Sequence, residues 1–400
     1  MSPYLLVFMT AAVVTAGVMP GVIWLVRRFG AIDVPHDPRK VHTEPVPTMG
    51  GIGMVIGFLA AMAVAANLTD FADLFETTSE PLGLILGVLA IALVGMVDDV
   101  RGLPPTAKLA GQILAALAPV FFGIQIIYAW VPGLDVVALP QDIGLPLTIL
   151  AIIAMVNAVN LIDGLDGLAA GVVGIAAIGF FAFTQLTGSA GLTESVPSSG
   201  PLVAAILAGI CLGFLVYNFH PAKVFMGDTG AMVLGLLLAL AGVAFVGRTT
   251  APEYGDFAGS VPLLVPALVL AIPFLDTLFA VARRAYRGQG IAVADKGHLH
   301  HLLIAFGHSH RRAVLTMYYW SAVVAFAAVG WVVADRTAVL VATAAAVVAG
   351  ALLTALGVRT GASSDTQDDG SLEQDDAVDT TGEVEPSPGA TVHPIRRDAV

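Results

Sequence analysis

Long apolar segments separated by short polar segments make up most of the chain. Eleven of them are close to the length of about 20 mostly apolar residues that a helix needs to cross a bilayer. None shows the alternation of polar and apolar residues that is typical of strands. The pattern therefore predicts an all-α membrane protein with helices at residues 4–26, 49–66, 81–97, 107–130, 143–159, 168–186, 201–219, 231–246, 261–282, 313–334 and 338–358.

The distribution of basic residues predicts how these helices are oriented. The first apolar segment is too long for the hydrophobic region of a signal peptide, and Arg27 and Arg28 follow it rather than precede it. We therefore expect an uncleaved first helix with the N-terminus outside. Sixteen of the eighteen Lys and Arg residues then fall on the cytoplasmic side or at its helix ends, the exceptions being Arg248 and Arg336. An odd number of helices places the C-terminus in the cytoplasm.

Composition agrees with a membrane protein and separates off a tail. The chain is 57% apolar and 12% charged, which is too little polar surface for a soluble protein of 400 residues. Of the net charge of -12, residues 361–400 carry ten acidic residues against two arginines. Because this stretch has few large apolar residues, we expect a transmembrane domain at 1–358 and a disordered acidic tail at 359–400. The single cysteine, Cys211, lies in an apolar segment, which favours a structural role.

Five polar strings on the predicted cytoplasmic side contain the candidate chemistry. The first runs from Arg39 to His42 and on to Gly50 and Gly51, where basic side chains and free backbone N–H groups suit a phosphate. Ordinary positive-inside anchoring is the alternative. The second is the pair Asp98 and Asp99. Adjacent carboxylates raise each other's pKa unless a cation intervenes, so the pair suits a Mg2+ site or a general base.

The third and fourth strings each lie between two predicted helices. The third, residues 157–167, contains two asparagines and the Asp-Gly pairs at Asp163 and Asp166, which form tight turns that expose carboxylates. The fourth, residues 218–228, offers Lys223 as a cation, Phe225 as an aromatic face and Asp228 as a Mg2+ ligand. Packing against lipid or the core is the alternative for Phe225.

The fifth string begins at Asp276, inside the predicted ninth helix. A charge there is costly unless it faces a polar cavity or a cationic partner. The string continues through Arg283 and Arg284 to three histidines that suit a metal, phosphate contact or proton transfer, namely His298, His300 and His301. We expect His308 and His310, a few residues further on, to lie in a solvated loop.

In this order, the five strings resemble the polyprenyl-phosphate N-acetylhexosamine-1-phosphate transferases, glycosyltransferase family 4. Residues 157–167 and 218–228 are the most specific part of a resemblance that covers residues 1–358. It implies that a polyprenyl phosphate attacks the sugar-linked phosphate of a UDP-sugar and releases UMP, with Mg2+, or alternatively Mn2+, as cofactor. It also implies a bacterial cytoplasmic membrane with the active site on the cytoplasmic face, UDP-sugar and lipid partners and no nucleic acid. A homodimer is left open.

The resemblance further implies a role for each string. Asp228 corresponds to the metal ligand, while Asp98 and Asp99 position or deprotonate the lipid phosphate, and one of them is a further candidate metal ligand. The nucleotide-sugar site is lined by Asn160, Asp163 and Asp166, with Phe225 against the uracil. The other candidates contact the diphosphate or sugar (Lys40, Lys223, Arg283, Arg284, His298, His300 and His301) or support the site (Asn157 and Asp276).

The choice of donor sugar depends on details of the motifs. The sequence His-Leu-His-His at 298–301, eleven helices and a cytoplasmic C-terminus resemble the branch that uses UDP-N-acetylglucosamine to start cell-wall linker (arabinogalactan), teichoic acid or O-antigen (lipopolysaccharide) synthesis. The alternative is the phospho-N-acetylmuramoyl-pentapeptide transferase branch, with ten helices and three consecutive histidines. A secondary transporter, which needs mid-membrane charges, and a scaffold acting through the tail are rivals from other classes.

Overall fold

The computed structural model describes residues 2–30, 32–33, 45–131, 135–189, 198–246 and 308–368. These residues form eleven α-helices in chain order: α1 Pro3–Phe29, α2 Gly51–Ala65, α3 Ala72–Thr77, α4 Glu80–Arg101, α5 Pro105–Phe121, α6 Gln141–Ile162, α7 Leu168–Ser189, α8 Gly200–Asn218, α9 Gly227–Val246, α10 His310–Val333 and α11 Arg336–Asp368. The predicted helix at 261–282 lies outside the described residues.

Each of the other ten predicted membrane helices coincides with an observed helix. Within the described ranges, eight helices are long and apolar enough to cross a membrane. Helix α2 and the short helices Thr69–Phe71 and α3, joined at a bend of 94°, form a ninth if they are counted as one span. The prediction of an all-α polytopic membrane protein is therefore confirmed. The number of eleven spans and the side on which each terminus lies stay predictions.

Two predicted boundaries differ from the structure. The predicted helix at 107–130 ends at Phe121, and Tyr128–Val131 pairs antiparallel with Asp135–Ala138 in a short hairpin. Gly123 ends the helical path because its φ of 100° is incompatible with a right-handed helix. A second two-stranded ribbon joins Ile32–Asp33 to Val46–Pro47. Helix α11 continues to Asp368, ten residues past the predicted helix end at residue 358.

Helix α9 is the most buried of the candidate membrane helices, whereas α11 is the most exposed. Small residues let neighbouring helices approach the first turn of α9 closely. A side chain at Gly95 of α4 would collide with the backbone of Thr229, and one at Gly51 of α2 would collide with that of Gly230. Close contacts through glycine are typical of helix packing in membranes. The start of α9, where the fourth polar string ends, is therefore surrounded by other helices.

Candidate active site

A carboxylate from the end of α4 caps the start of helix α9. Asp99 accepts hydrogen bonds from the backbone N–H groups of Asp228 (2.7 Å) and Thr229 (3.1 Å), and from the Thr229 hydroxyl (2.6 Å). The first N–H groups of a helix lack partners within the helix, so this carboxylate caps α9 from outside. Gly227 has φ of 68°, and a Cβ there would lie 2.6 Å from Asp99. Glycine is thus required for the close approach that fixes Asp228.

The side chain of Lys108, in the first turn of α5, forms ion pairs with both Asp98 and Asp228. Its Nζ lies 2.8 Å from Oδ2 of Asp98 and 3.0 Å from Oδ2 of Asp228. It also lies 3.4 Å from Oδ1 of Asn160, whose amide nitrogen donates a short hydrogen bond to Asp228. The second oxygen of Asp98 accepts from the Leu103 backbone N–H at 2.6 Å. We call Asp98, Lys108, Asn160 and Asp228 the Lys108 cluster.

A pair of amide side chains, of which Gln112 is buried and Asn157 partly buried, lies one helical turn further along the same two helices. Asn157 Nδ2 donates to Oε1 of Gln112 and to the Ile153 backbone carbonyl, both at 2.8 Å, and Gln112 Nε2 lies 3.4 Å from Asn157 Oδ1. Gln112 follows Lys108 by four residues on α5, and Asn157 precedes Asn160 by three on α6, so each pair shares a helix face. The amide pair therefore holds α5 and α6 in the register that brings Lys108 to Asn160.

The turn between α6 and α7 is tied to the segment that follows α8. Asp166 accepts from His220 Nδ1 (2.7 Å) and from the Ala222 backbone N–H (3.1 Å). Asn218 links the same segments, since its side chain accepts from the Gly167 N–H and donates to the Val224 carbonyl, both at 2.9 Å. The third and fourth polar strings, which are far apart in sequence, are therefore held together around the start of α9.

The rings of His220 and His310 stack, with centroids 4.1 Å apart and planes 16° apart. The ligand atoms of Asp166, His220 and His310 lie within 4.8 Å of one another. The prediction that His308 and His310 lie in a solvated loop is wrong, because His308 is buried and His310 is the first residue of α10. His308 and His310 lie just before and at the start of the apolar helix α10, which packs against the rest of the protein.

Asp163 lies in the same turn as Asp166 and has an unusual protonation equilibrium. Burial is the largest of the causes that together raise its pKa from an ordinary 3.8 to about 7. The negative charges of Asp228, Asp99 and Asp166 act in the same direction. A nearby cation would stabilise the ionised form of a carboxyl group in such an environment. Groups with a strongly shifted pKa are typical of functional sites.

The backbone N–H groups of Gly50 and Gly51 are not free to donate to a phosphate, which was one of the two interpretations of the first string. The N–H groups of Gly50 and Gly51 donate to the carbonyl oxygens of Phe225 (2.9 Å) and Met226 (3.0 Å). The Phe225 N–H in turn donates to Pro47 at 2.8 Å. This segment instead pairs with the fourth string, because the buried backbone of both must find partners. Lys223 is exposed and Phe225 is partly buried on the resulting surface.

Seven of the predicted site residues lie outside the described part of the chain: Lys40, Asp276, Arg283, Arg284, His298, His300 and His301. Among those described, Asp98, Asp99, Asn160, Asp163, Asp166 and Asp228 are brought to one region. Lys108 was given no role from sequence. The sequence feature that could have identified Lys108 is a single basic residue at the start of an apolar helix, four residues before Gln112.

Comparison with known proteins agrees with this geometry. The sequence profile of glycosyl transferase family 4 matches residues 81–246, which include the whole Lys108 cluster. Over 338 residues, 82% of each chain, the sequence is 38% identical to the decaprenyl-phosphate N-acetylglucosaminephosphotransferase of Mycolicibacterium smegmatis. The chain belongs to glycosyl transferase family 4.

Two further relatives show the range of family 4 enzymes that are similar to this one. A probable undecaprenyl-phosphate N-acetylglucosaminyl 1-phosphate transferase of Bacillus subtilis is 32% identical over 291 residues, 73% of this chain and 74% of the relative. A phospho-N-acetylmuramoyl-pentapeptide-transferase of Shouchella clausii is 36% identical over 299 residues, 71% and 82% of the two chains. The predicted family and enzyme class, a phosphoglycosyltransferase, are therefore confirmed, and neither a transporter nor an idle scaffold fits them.

Proposed function

We propose that this family 4 enzyme transfers N-acetylglucosamine 1-phosphate from UDP-N-acetylglucosamine to a polyprenyl phosphate and releases UMP. The observation that carries the choice of donor is the similarity to relatives named for this reaction, at 38% to 39% identity over 81% to 82% of this chain. Relatives named for the pentapeptide donor reach 31% to 36%. The decaprenyl and undecaprenyl names of the former make a long polyprenyl phosphate the proposed acceptor.

The donor set of the Lys108 cluster fits a hard divalent cation. Asp98, Asp228 and Asn160 supply carboxylate and amide oxygens, and Asp163 places another carboxyl group nearby. Mg2+ prefers such oxygens and is typically held by one or two carboxylates together with substrate phosphates. We propose Asp228 as the ligand from this chain, with Asp98 beside it, and Mg2+, or alternatively Mn2+, as the cofactor. When bound, the ion would offset the charge of two approaching phosphates.

The proposed reaction is an attack of a lipid phosphate oxygen on the phosphorus attached to the sugar. The bond between that phosphorus and the oxygen bridging to the UMP phosphate breaks, and UMP leaves with both electrons of the bond. Because an anion attacks an anion, positioning and neutralisation by residues such as Lys108 supply most of the catalysis. We propose that Asp98, at the end of α4, helps to orient the acceptor phosphate through its contact with Lys108, whereas Asp99 fixes the first turn of α9.

We assign the nucleotide-sugar to the surface formed by the third and fourth strings. Asp163, Asp166 and Phe225 lie there, and the hydrogen bonds of Asp166 to His220 and Ala222 hold that surface in shape. A lipid phosphate lies at headgroup level, and in the proposed topology the ends of the membrane-spanning helices emerge there. The positive-inside distribution supports a cytoplasmic active site in a bacterial plasma membrane. The structure describes one chain and adds no support for a homodimer.

A donor-selection assay tests the proposed function. The purified full chain is supplied with Mg2+, polyprenyl phosphate and either UDP-N-acetylglucosamine or UDP-N-acetylmuramoyl-pentapeptide, and UMP release is followed. We expect UMP from the first donor and none above background from the second, with Asp228→Asn as the inactive control. The opposite preference would assign the chain to the pentapeptide branch.

A further inference from the structure

The ammonium group of Lys108 uses all of its hydrogen-bonding capacity within the Lys108 cluster. It contacts Asp98 at 2.8 Å, Asp228 at 3.0 Å and Asn160 at 3.4 Å. A lysine ammonium has three donors and no acceptor, so three acceptors from α4, α9 and α6 saturate it. The side chain is 19% exposed, which leaves it shielded but within reach of solvent.

The oxygens that hold Lys108 are also those that a divalent cation would use. Asp98 and Asp228 belong to different helices and repel each other when both are ionised, so a cation between them stabilises their close approach. Mg2+ binds carboxylate oxygens at about 2.0–2.1 Å, closer than an ammonium approaches. The ammonium and the ion repel each other, so both cannot occupy the same point between the two carboxylates.

We propose that Lys108 is a placeholder for the divalent cation: it holds Asp98 and Asp228 in position in the metal-free protein and yields when the ion binds. The inference rests on the proposed function for the presence of that ion. The flexible stem of lysine keeps the displaced ammonium beside the site. There it meets a substrate phosphate, which offers new acceptors in place of Asp228. Lys108 is thus a positioning residue whose ammonium group moves from the two carboxylates to the substrate phosphate.

An ordinary structural ion pair predicts the opposite response to removal of Lys108. In that case the two carboxylates lose their fixed positions, and the affinity for a divalent ion falls or stays unchanged. A placeholder competes with the ion, so its removal leaves more negative charge for the ion to bind and raises the affinity. The sign of the change therefore separates the two roles.

The test is a Mn2+ titration of the purified full chain, stripped of metal with a chelator and given neither donor nor acceptor, with free Mn2+ read by electron paramagnetic resonance. We expect Lys108→Met to lower the Kd for Mn2+ at least about fivefold, because the competing charge is gone. Lys108→Arg keeps that charge and should bind no more tightly than wild type. Arg101→Met removes an exposed basic residue from the end of α4 and should leave the Kd unchanged.

The melting temperature supplies a second measurement. Metal-free Lys108→Met should melt below wild type, and Mn2+ should narrow the difference. Wild-type protein that binds no Mn2+, or Lys108→Met protein that binds it no more tightly than wild type, would overturn the proposal. If the Met variant does not fold, Lys108→Gln is titrated in the same way. Tighter Mn2+ binding by Lys108→Met than by wild type, in a chain that fails the donor assay, would reject the proposed function and support the placeholder role.

Discussion

Asp99, at the end of α4, accepts the backbone N–H of Asp228 at 2.7 Å and so fixes the residue proposed to bind the metal. The same carboxylate accepts the N–H and the hydroxyl of Thr229. Two adjacent acidic residues therefore have different surroundings. Asp98 faces Lys108, whereas Asp99 faces the first turn of α9. These different contacts do not support a single shared role for Asp98 and Asp99.

Replacing Asp99 should destabilise the start of α9. Asp99→Ala removes three acceptor contacts, and we expect a loss of about 1–2 kcal/mol, as for other helix caps. Asp99→Asn keeps one acceptor oxygen and should lose less. Thermal unfolding in detergent measures both. Thr229→Val, which removes one of the three bonds, serves as the matched control with the smallest effect. Equal stability of the Ala variant and wild type would contradict this capping role.

Removing the charge of Asp228 should abolish turnover while the protein stays folded. Asp228→Asn retains the size of the side chain, and the α9 cap uses the backbone N–H rather than the carboxylate. We expect no UMP release above background, Mn2+ binding weakened at least about tenfold through the loss of a charged ligand, and a melting temperature close to that of wild type. Near-normal turnover would remove Asp228 from the metal site.

The amide pair of Gln112 and Asn157 gives a test of how α5 and α6 position the site. Gln112→Leu removes this hydrogen bond but leaves Asn157 bonded to the Ile153 carbonyl, and we expect a loss of about 0.5–1.5 kcal/mol. The double variant Gln112→Leu/Asn157→Leu should lose less than the sum of the single variants. A thermal-unfolding double-mutant cycle measures the coupling. Additive losses would show that the two amides act independently.

The raised pKa of Asp163 predicts a pH dependence of the metal-free protein. Because the folded pKa is about 7 and the ordinary value is 3.8, the folded state binds more protons between these values. Stability contributed by this group is therefore lost as the pH rises towards 7. Melting temperatures across this range should fall more steeply for wild type than for Asp163→Asn. Parallel curves would mean that Asp163 titrates as an ordinary carboxyl group.

The helices and the acidic residues of the site were predictable from sequence for a physical reason. A bilayer demands long apolar helices, so polar strings such as those at Asp163 and Asp228 stand out at the helix ends. Lys108 was not predictable, because its role depends on which helices meet around α9. The same holds for the stacking of His220 and His310 and for the pairing of Gly50 and Gly51 with the fourth string.

The central claim is the transfer of a sugar together with its phosphate, and an isotope tests it most directly. The full chain is incubated with Mg2+, polyprenyl phosphate and UDP-N-acetylglucosamine that carries 32P only in the sugar-linked phosphate. The account predicts that the label moves with the sugar into the lipid fraction, that UMP is unlabelled, and that Asp228→Asn transfers nothing. Labelled UDP in the aqueous fraction, with sugar alone on the lipid, would contradict it.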